Sequence, residues 1–280
     1  LQPHFERITI VDSEEWQEEV WLFLKQNPRK VVLETLVAPT PDVLADILHV
    51  RARSGLRFGF QTQFDWSPIW KYGVCFIGLH GRSDGEMLDQ DMRLVVEARV
   101  EAVKLTSHAT PTSLKALRRT NPGLFLMVRP IMSFWENSRP RNVSPQQFVD
   151  ETTLDLQRLF DEDPNIEYIE VHNEPNLAIE GWTGSWNNGA EFGNWVNEVV
   201  RLYRQRWPNK KYGFPGLSPG IGMANIRHEY KQFLSQAGAA VNRADWIAVH
   251  AYWGSEFEML SVEGGFVWRL YRQLFHDKLL

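Results

Sequence analysis

The run Val171-His172-Asn173-Glu174-Pro175-Asn176 places an imidazole, an amide and a carboxyl side by side at the end of an apolar stretch. A carboxyl so placed can give or take a proton once burial or a neighbouring charge moves its pKa toward neutrality. The plainer reading of Glu174 is a salt-bridged structural residue. Other apolar stretches end in groups of the same kind: His80, Ser107 with His108, Arg129, Ser218, and His250 followed by Tyr252 and Trp253. Six ends carrying polar or aromatic groups are more than a purely structural framework needs.

The elements that must position these groups follow from hydrophobic period. From residue 74 onward, short apolar runs alternate with longer amphipathic ones, which predicts βα units and a parallel sheet. Strands are expected over residues 75–80, 102–106, 124–129, 166–172, 212–217 and 246–250. Helices are expected over 87–99, 111–119, 144–161, 191–206, 227–236 and 266–275. Thr110 or Thr112 can cap the second of these helices, and Pro145 suits a first helical turn, where its missing N–H costs nothing. Residues 1–73 show the same alternation: a helix over 13–26 capped by Ser13, a strand over 31–35, a helix over 40–53 and a strand over 58–61. The expected fold is α/β: a (β/α)8 TIM barrel, either incomplete or circularly permuted. In the first case residues 1–73 form an N-terminal αβ segment beside a main barrel portion, 74–280, holding strands one to six. In the second they close the barrel and put Glu34 on its seventh strand. Barrel active sites lie at the C-terminal mouth of the sheet, where the groups above would gather.

On Asn173-Glu174-Pro175 at the end of a fourth strand, residues 74–280 resemble the retaining glycoside hydrolases with a TIM barrel (clan A). Arg129 after strand three and Val249-His250-Ala251-Tyr252-Trp253 after strand six fit the same resemblance. It implies Glu174 as general acid/base, Asn173 as the contact to a sugar 2-hydroxyl, and His80, Arg129, His172, His250, Tyr252 and Trp253 around a glycan substrate. Retaining cleavage needs two carboxyls ~5–5.5 Å apart, one of them holding its proton near neutrality. The family's nucleophile follows strand seven, and residues 275–280 stand where that strand would start. The candidates that remain are Glu34, by permutation, and the weaker Glu256, Glu258 and Glu263. Without a second carboxyl the alternative is a barrel that binds glycan or serves as a scaffold without turnover.

After Glu174, residues 176–189 mix Trp, Gly and amides. Trp182 and Trp186 could stack on sugar rings, with Asn187 and Asn188 on hydroxyls, or the loop could pack on itself as a cap. The 12 Trp residues of the chain fit either a core or a sugar groove. His80, His108, His172 and His250 raise a metal-hydrolase reading, but no His-x-His pair occurs, so no metal and no cofactor is expected. Cys75 is the only cysteine, which excludes an intrachain disulfide. A net charge of −5 with interspersed signs gives no case for nucleic acid, and no apolar run approaches the ~20 residues that span a bilayer. The expected partners are a glycan and, for an incomplete barrel, a partner chain or missing segment that completes it.

Overall fold

A computed structural model describes residues 7–10, 32–35, 57–60, 76, 78–255, 258, 261, 263–275 and 278. The chain divides into two compact units, Leu1–Phe76 and Ile77–Leu280. In the first, β1 (Arg7–Ile10), β2 (Val32–Thr35) and β3 (Arg57–Phe60) form a parallel sheet in the order β1-β2-β3. Glu34 sits in β2, its Cα opposite Thr9 and Gly59. β1 lay outside the expected strands, and the helices expected over 13–26 and 40–53 lie outside the described residues, as does the side chain of Glu34.

The second unit carries six parallel strands in chain order: β4 (Gly78–His80), β5 (Ala102–Thr106), β6 (Phe125–Arg129), β9 (Tyr168–Glu170), β10 (Lys211–Phe214) and β11 (Trp246–Ile247). Between β6 and β9 a small antiparallel ribbon, β7 (Trp135–Glu136) with β8 (Arg139–Pro140), stands apart. Seven α-helices follow the strands among the described residues: α1 (Asp89–Glu97), α2 (Pro111–Thr120), α3 (Pro145–Glu162), α4 (Gly189–Arg206), α5 (Tyr230–Gln236), α6 (Gly238–Arg243) and α7 (Trp268–Leu274). Parallel strands in sequential order with helices between them make a partial, TIM-barrel-like α/β arrangement.

Local chemistry sets the helix starts. Thr110 Oγ1 accepts from Ser113 N at 3.2 Å and Ser144 Oγ from Gln147 N at 3.1 Å, each one residue before a proline at the first helical position. Asn188 Oδ1 accepts from Ala190 N and Glu191 N, both at 3.0 Å, and starts α4. The helix expected from residue 227 begins later because the Glu229 carboxylate caps it, accepting from Lys231 N and Gln232 N.

Along β5 and β6, Val103, Leu105, Leu126 and Val128 are fully buried, while the intervening Lys104, Met127 and Arg129 are only partly so. This two-residue period places apolar side chains toward the helices and Lys104 and Arg129 on the other face of the sheet. The helix side is filled by Phe148, Leu156, Phe192, Trp195, Val199 and Tyr203 among others. Among the described residues, no helix is long and apolar enough to cross a membrane.

Candidate active site

Glu170, at the end of β9, is fully buried and basic side chains surround it. Lys104 Nζ lies 2.8 Å from its Oε2, Arg129 Nη1 lies 3.8 Å from the same oxygen, and His250 Nε2 faces its Oε1 at 3.8 Å. Burial opposes ionisation here, but His250, Lys104 and Arg129 outweigh it and hold the carboxyl well below the usual glutamate range.

Four residues on, the chain turns sharply. Glu174 adopts a left-handed backbone with φ +37°, a conformation that costs a non-glycine residue free energy. Hydrogen bonds hold it there: Glu174 N donates to Gly216 O at 3.0 Å and Leu177 N donates to Glu174 O at 2.9 Å. The side chain meets the groups that follow β11. His250 Nδ1 is 2.8 Å from Glu174 Oε1, and the Tyr252 hydroxyl donates to that oxygen at 2.6 Å. Gly216 makes room for the imidazole, since a Cβ there would stand 2.3 Å from His250 Cδ2.

Asn173 ties the centre to β6. Its Oδ1 accepts from Arg129 Nη1 at 2.5 Å, and its Nδ2 donates to Glu180 Oε1 at 2.8 Å. Arg129 Nη2 lies 3.0 Å from His80 Nε2, which brings the end of β4 into the same network. Arg129, Asn173 and His80 thus form one side-chain group and Glu174, His250 and Tyr252 another, and Glu170 links the two through Arg129 and His250. Tyr252 and Trp253 are 57% and 51% exposed.

The electrostatics depart from the expectation of a protonated Glu174. Burial pushes its pKa up, but the contacts from His250 and Tyr252 and the field of Arg129 bring it below the ordinary value. His250 moves the opposite way: burial lowers its pKa, and Glu170 and Glu174 raise it by more. Glu180 is held above the ordinary value by burial and by the charge of Glu174, against Asn173, Arg129 and His250.

Two expected sugar contacts take other places. Trp186 is 1% exposed, packed among Phe134, Phe192, Trp195 and His172, with Nε1 donating to Pro175 O at 2.7 Å. A ring so enclosed has no free face for a sugar, so its place is in the core. His172 is 3% exposed within the same cluster, and burial pushes its pKa down to about 4, so it is neutral. Its Nε2 lies 2.8 Å from Glu180 O, so it supports the loop from beneath. Trp182 is half-buried, its Nε1 donating to Asn187 O at 3.0 Å, and Asn187 and Asn188 serve the start of α4 through Glu191.

The remaining carboxyl candidates divide. Glu258 Oε2 accepts from Gly254 N at 2.6 Å, and Glu263 pairs with Lys231 at 2.8 Å. Glu256 lies outside the described residues. Among the described residues, no three His, Cys, Asp or Glu side chains converge on a point that could hold a metal ion. Glu170, Lys104, Gly216 and Glu180 belong to the site without having been singled out in the sequence. Lys104 and Glu170 interrupt apolar strands, and that interruption was the available signal.

No family model matches the chain, and no curated protein matches it. Several solved structures similar to it are glycoside hydrolases. A GH2 β-galacturonidase from Eisenbergiella tayi, bound to galacturonate, is 10% identical over 72% of this chain and 33% of its own, with a TM-score of 0.46. A GH53 catalytic domain from Ignisphaera aggregans is 15% identical over 68% of this chain and 59% of its own, with a TM-score of 0.40. A β-mannanase from the blue mussel Mytilus edulis is 11% identical over 65% of this chain and 71% of its own, with a TM-score of 0.34. The chain spans about a third of the length of the β-galacturonidase.

Proposed function

We propose that this chain carries the site of a glycoside hydrolase that cleaves O-glycosidic bonds in a polysaccharide or another glycan, with Glu174 as the carboxyl that exchanges protons with the substrate. The observation that carries the reading is the setting of Glu174. One carboxyl oxygen is fixed by His250 and Tyr252, while among the described residues the other has no hydrogen-bond partner. A fixed carboxyl with one free oxygen is what proton exchange with a glycosidic oxygen or a water requires. His250 serves as its charge partner, Arg129 orients Asn173 toward the ligand, and Tyr252 and Trp253 offer ring faces to sugar.

A second reading, glycan binding without turnover, is favoured by one observation: Glu174 is held below the ordinary glutamate range, so by itself it does not store a proton near neutrality. A panel of chromogenic aryl glycosides, assayed with the wild type and Glu174→Gln, separates the two. Hydrolysis predicts turnover by the wild type and a loss of at least about 100-fold in the variant. Equal turnover by both proteins removes Glu174 from the chemistry. No turnover by either, with retained oligosaccharide binding, leaves the binding reading.

A further inference from the structure

We propose that Glu180, held by the amide of Asn173, is the second carboxyl group of this site and the acid partner of Glu174.

The placement of Glu180 is built rather than incidental. It ends a short 3-10 turn, Ala178–Glu180, six residues beyond Glu174. The turn is fixed from four directions: Ala178 N donates to Ile226 O at 2.8 Å, Glu180 N to Leu177 O at 3.1 Å, Gly181 N to Ala178 O at 3.2 Å, and His172 Nε2 meets Glu180 O at 2.8 Å. Gly181 closes it at φ +113°, where a Cβ would come within 2.7 Å of Phe134 and Trp186. The orientation of the Asn173 amide is then dictated. Its oxygen must face the Arg129 guanidinium and its NH2 must face Glu180. Asn173 thus stands between two carboxyls, joined to Glu174 by the backbone and to Glu180 by a hydrogen bond. Among the described residues, Oε2 of Glu174 and Oε2 of Glu180 have no hydrogen-bond partner, and both are left for a ligand.

The two carboxyls differ in what surrounds them. Glu174 receives two direct donors, His250 and Tyr252, and the field of Arg129. Glu180 receives one neutral amide and no cation in contact, and it lies partly buried in the field of an anionic Glu174. Other charged groups nearby do not reverse this. His172 is neutral. His80 is held below its ordinary value by desolvation and by Lys104 and Arg129. Arg139, on β8 against the turn, is exposed, and Arg227 donates to Ile221 O at 3.0 Å. Two nearby carboxyls whose environments push their pKa values apart divide into an acid and a base. Glu180 is therefore the more readily protonated of the two, the acid of the pair, and Glu174 is its base.

Resting on the hydrolase reading, this supplies a reaction that needs no strand-seven nucleophile. Glu180 gives its proton to the departing glycosidic oxygen as the C1–O bond breaks and its electron pair goes to that oxygen. A water oxygen forms the new C1–O bond and loses a proton to Glu174. One water is consumed, and the extra proton on Glu174 returns to Glu180 through solvent.

The test has one arm that does not depend on turnover. Protein labelled with 13C at the glutamate carboxyl is titrated by NMR as wild type, Glu174→Gln and Glu180→Asp, the last serving to assign Glu180. The expected result is that Glu180 titrates above Glu174 and that its pKa falls in Glu174→Gln. Glu180 titrating at or below Glu174, or unmoved by Glu174→Gln, overturns the proposal. The second arm compares Glu180→Gln with the wild type on phenyl glycosides and on dinitrophenyl glycosides, whose leaving group needs no proton. Loss of an acid catalyst predicts a fall in kcat/KM of at least about 100-fold on the first and less than about tenfold on the second. Equal losses on both overturn the acid role. If Glu180→Gln does not fold, as circular dichroism would reveal, the titration of the wild type and Glu174→Gln still decides. If the wild type turns over no glycoside, the hydrolase reading fails alone while the NMR arm still tests the order and coupling of the two carboxyls.

Discussion

The Nδ1 atom of His250 stands 2.8 Å from Oε1 of Glu174, and each residue shifts the titration of the other. Glu174 is depressed in the fold, so its contribution to stability is present above the ordinary glutamate value of 4.5 and is lost as pH falls through the depressed value. His250 is raised, so its contribution is present in full below the ordinary value of 6.5 and is lost as pH rises through the raised value. Between 4.5 and 6.5 both partners are charged when folded.

His250→Asn should therefore cost about 1.5–3 kcal/mol in that window, the range for hydrogen bonds to charged groups, and less in alkaline solution. Urea unfolding of both proteins at a series of pH values measures the difference. A gap that stays flat from about pH 5 to about pH 9 would show that the pair makes no ionic contribution.

Gly216 sets the position of that imidazole. With a Cβ at 2.3 Å from His250 Cδ2, Gly216→Ala must push the ring off Glu174. The cost in stability should be about 1–3 kcal/mol, as for overpacking in a filled site. His250, freed from its carboxylates, should titrate lower than in the wild type. Proton NMR of the His250 ring reads this, and an unchanged titration would mean that the ring does not need the space.

The fully buried Glu170 is the anion that Lys104 and Arg129 share. Glu170→Gln removes the charge and leaves two cations facing each other, which should destabilise the fold by about 3–5 kcal/mol. Lys104→Met relieves part of that repulsion, so the double variant should be more stable than the sum of the two single losses allows. Strict additivity in urea unfolding would argue that the three groups do not act together.

How much of this was legible beforehand depended on period and on reach. The six strands of the second unit follow from apolar runs, and α2, α3 and α4 follow from Thr110, Pro145 and the Phe192-Trp195-Val199 face. The joining of Glu174, Asn173, Arg129, His80, His250 and Tyr252 was legible as well, because strand ends of a parallel sheet lie side by side. Trp186 was misplaced because a Trp near Gly and Asn looks alike in a ligand loop and in a loop folded into the core. Only the ring cluster of Phe134, His172, Phe192 and Trp195 distinguishes them. Glu180 carried no signal, since its link to Asn173 depends on a 3-10 turn whose partners, Ile226 and His172, sit on other segments.

The left-handed backbone of Glu174 offers a separate test. A residue with a Cβ at positive φ is strained by about 1–2 kcal/mol relative to glycine. Glu174→Gly should thus be more stable than Glu174→Ala by about 1 kcal/mol, although both remove the carboxyl. If the alanine variant proves the more stable in thermal and urea unfolding, the strain is not present in solution.

Trp186 and Trp253 should separate stability from binding. Trp186 is enclosed, so Trp186→Ala opens a cavity among Phe134, Phe192 and Trp195 and orphans the carbonyl of Pro175, at a cost of about 3–5 kcal/mol. Trp253 is 51% exposed beside Tyr252, so Trp253→Ala should change stability by no more than about 0.5 kcal/mol. If Trp253 is a sugar platform, the same change should weaken binding of soluble oligosaccharides by about tenfold, near 1.4 kcal/mol. Calorimetric titration beside thermal unfolding measures both quantities on both variants. Loss of stability in Trp253→Ala with unaltered oligosaccharide affinity would move that ring from the ligand surface into the packing of the fold.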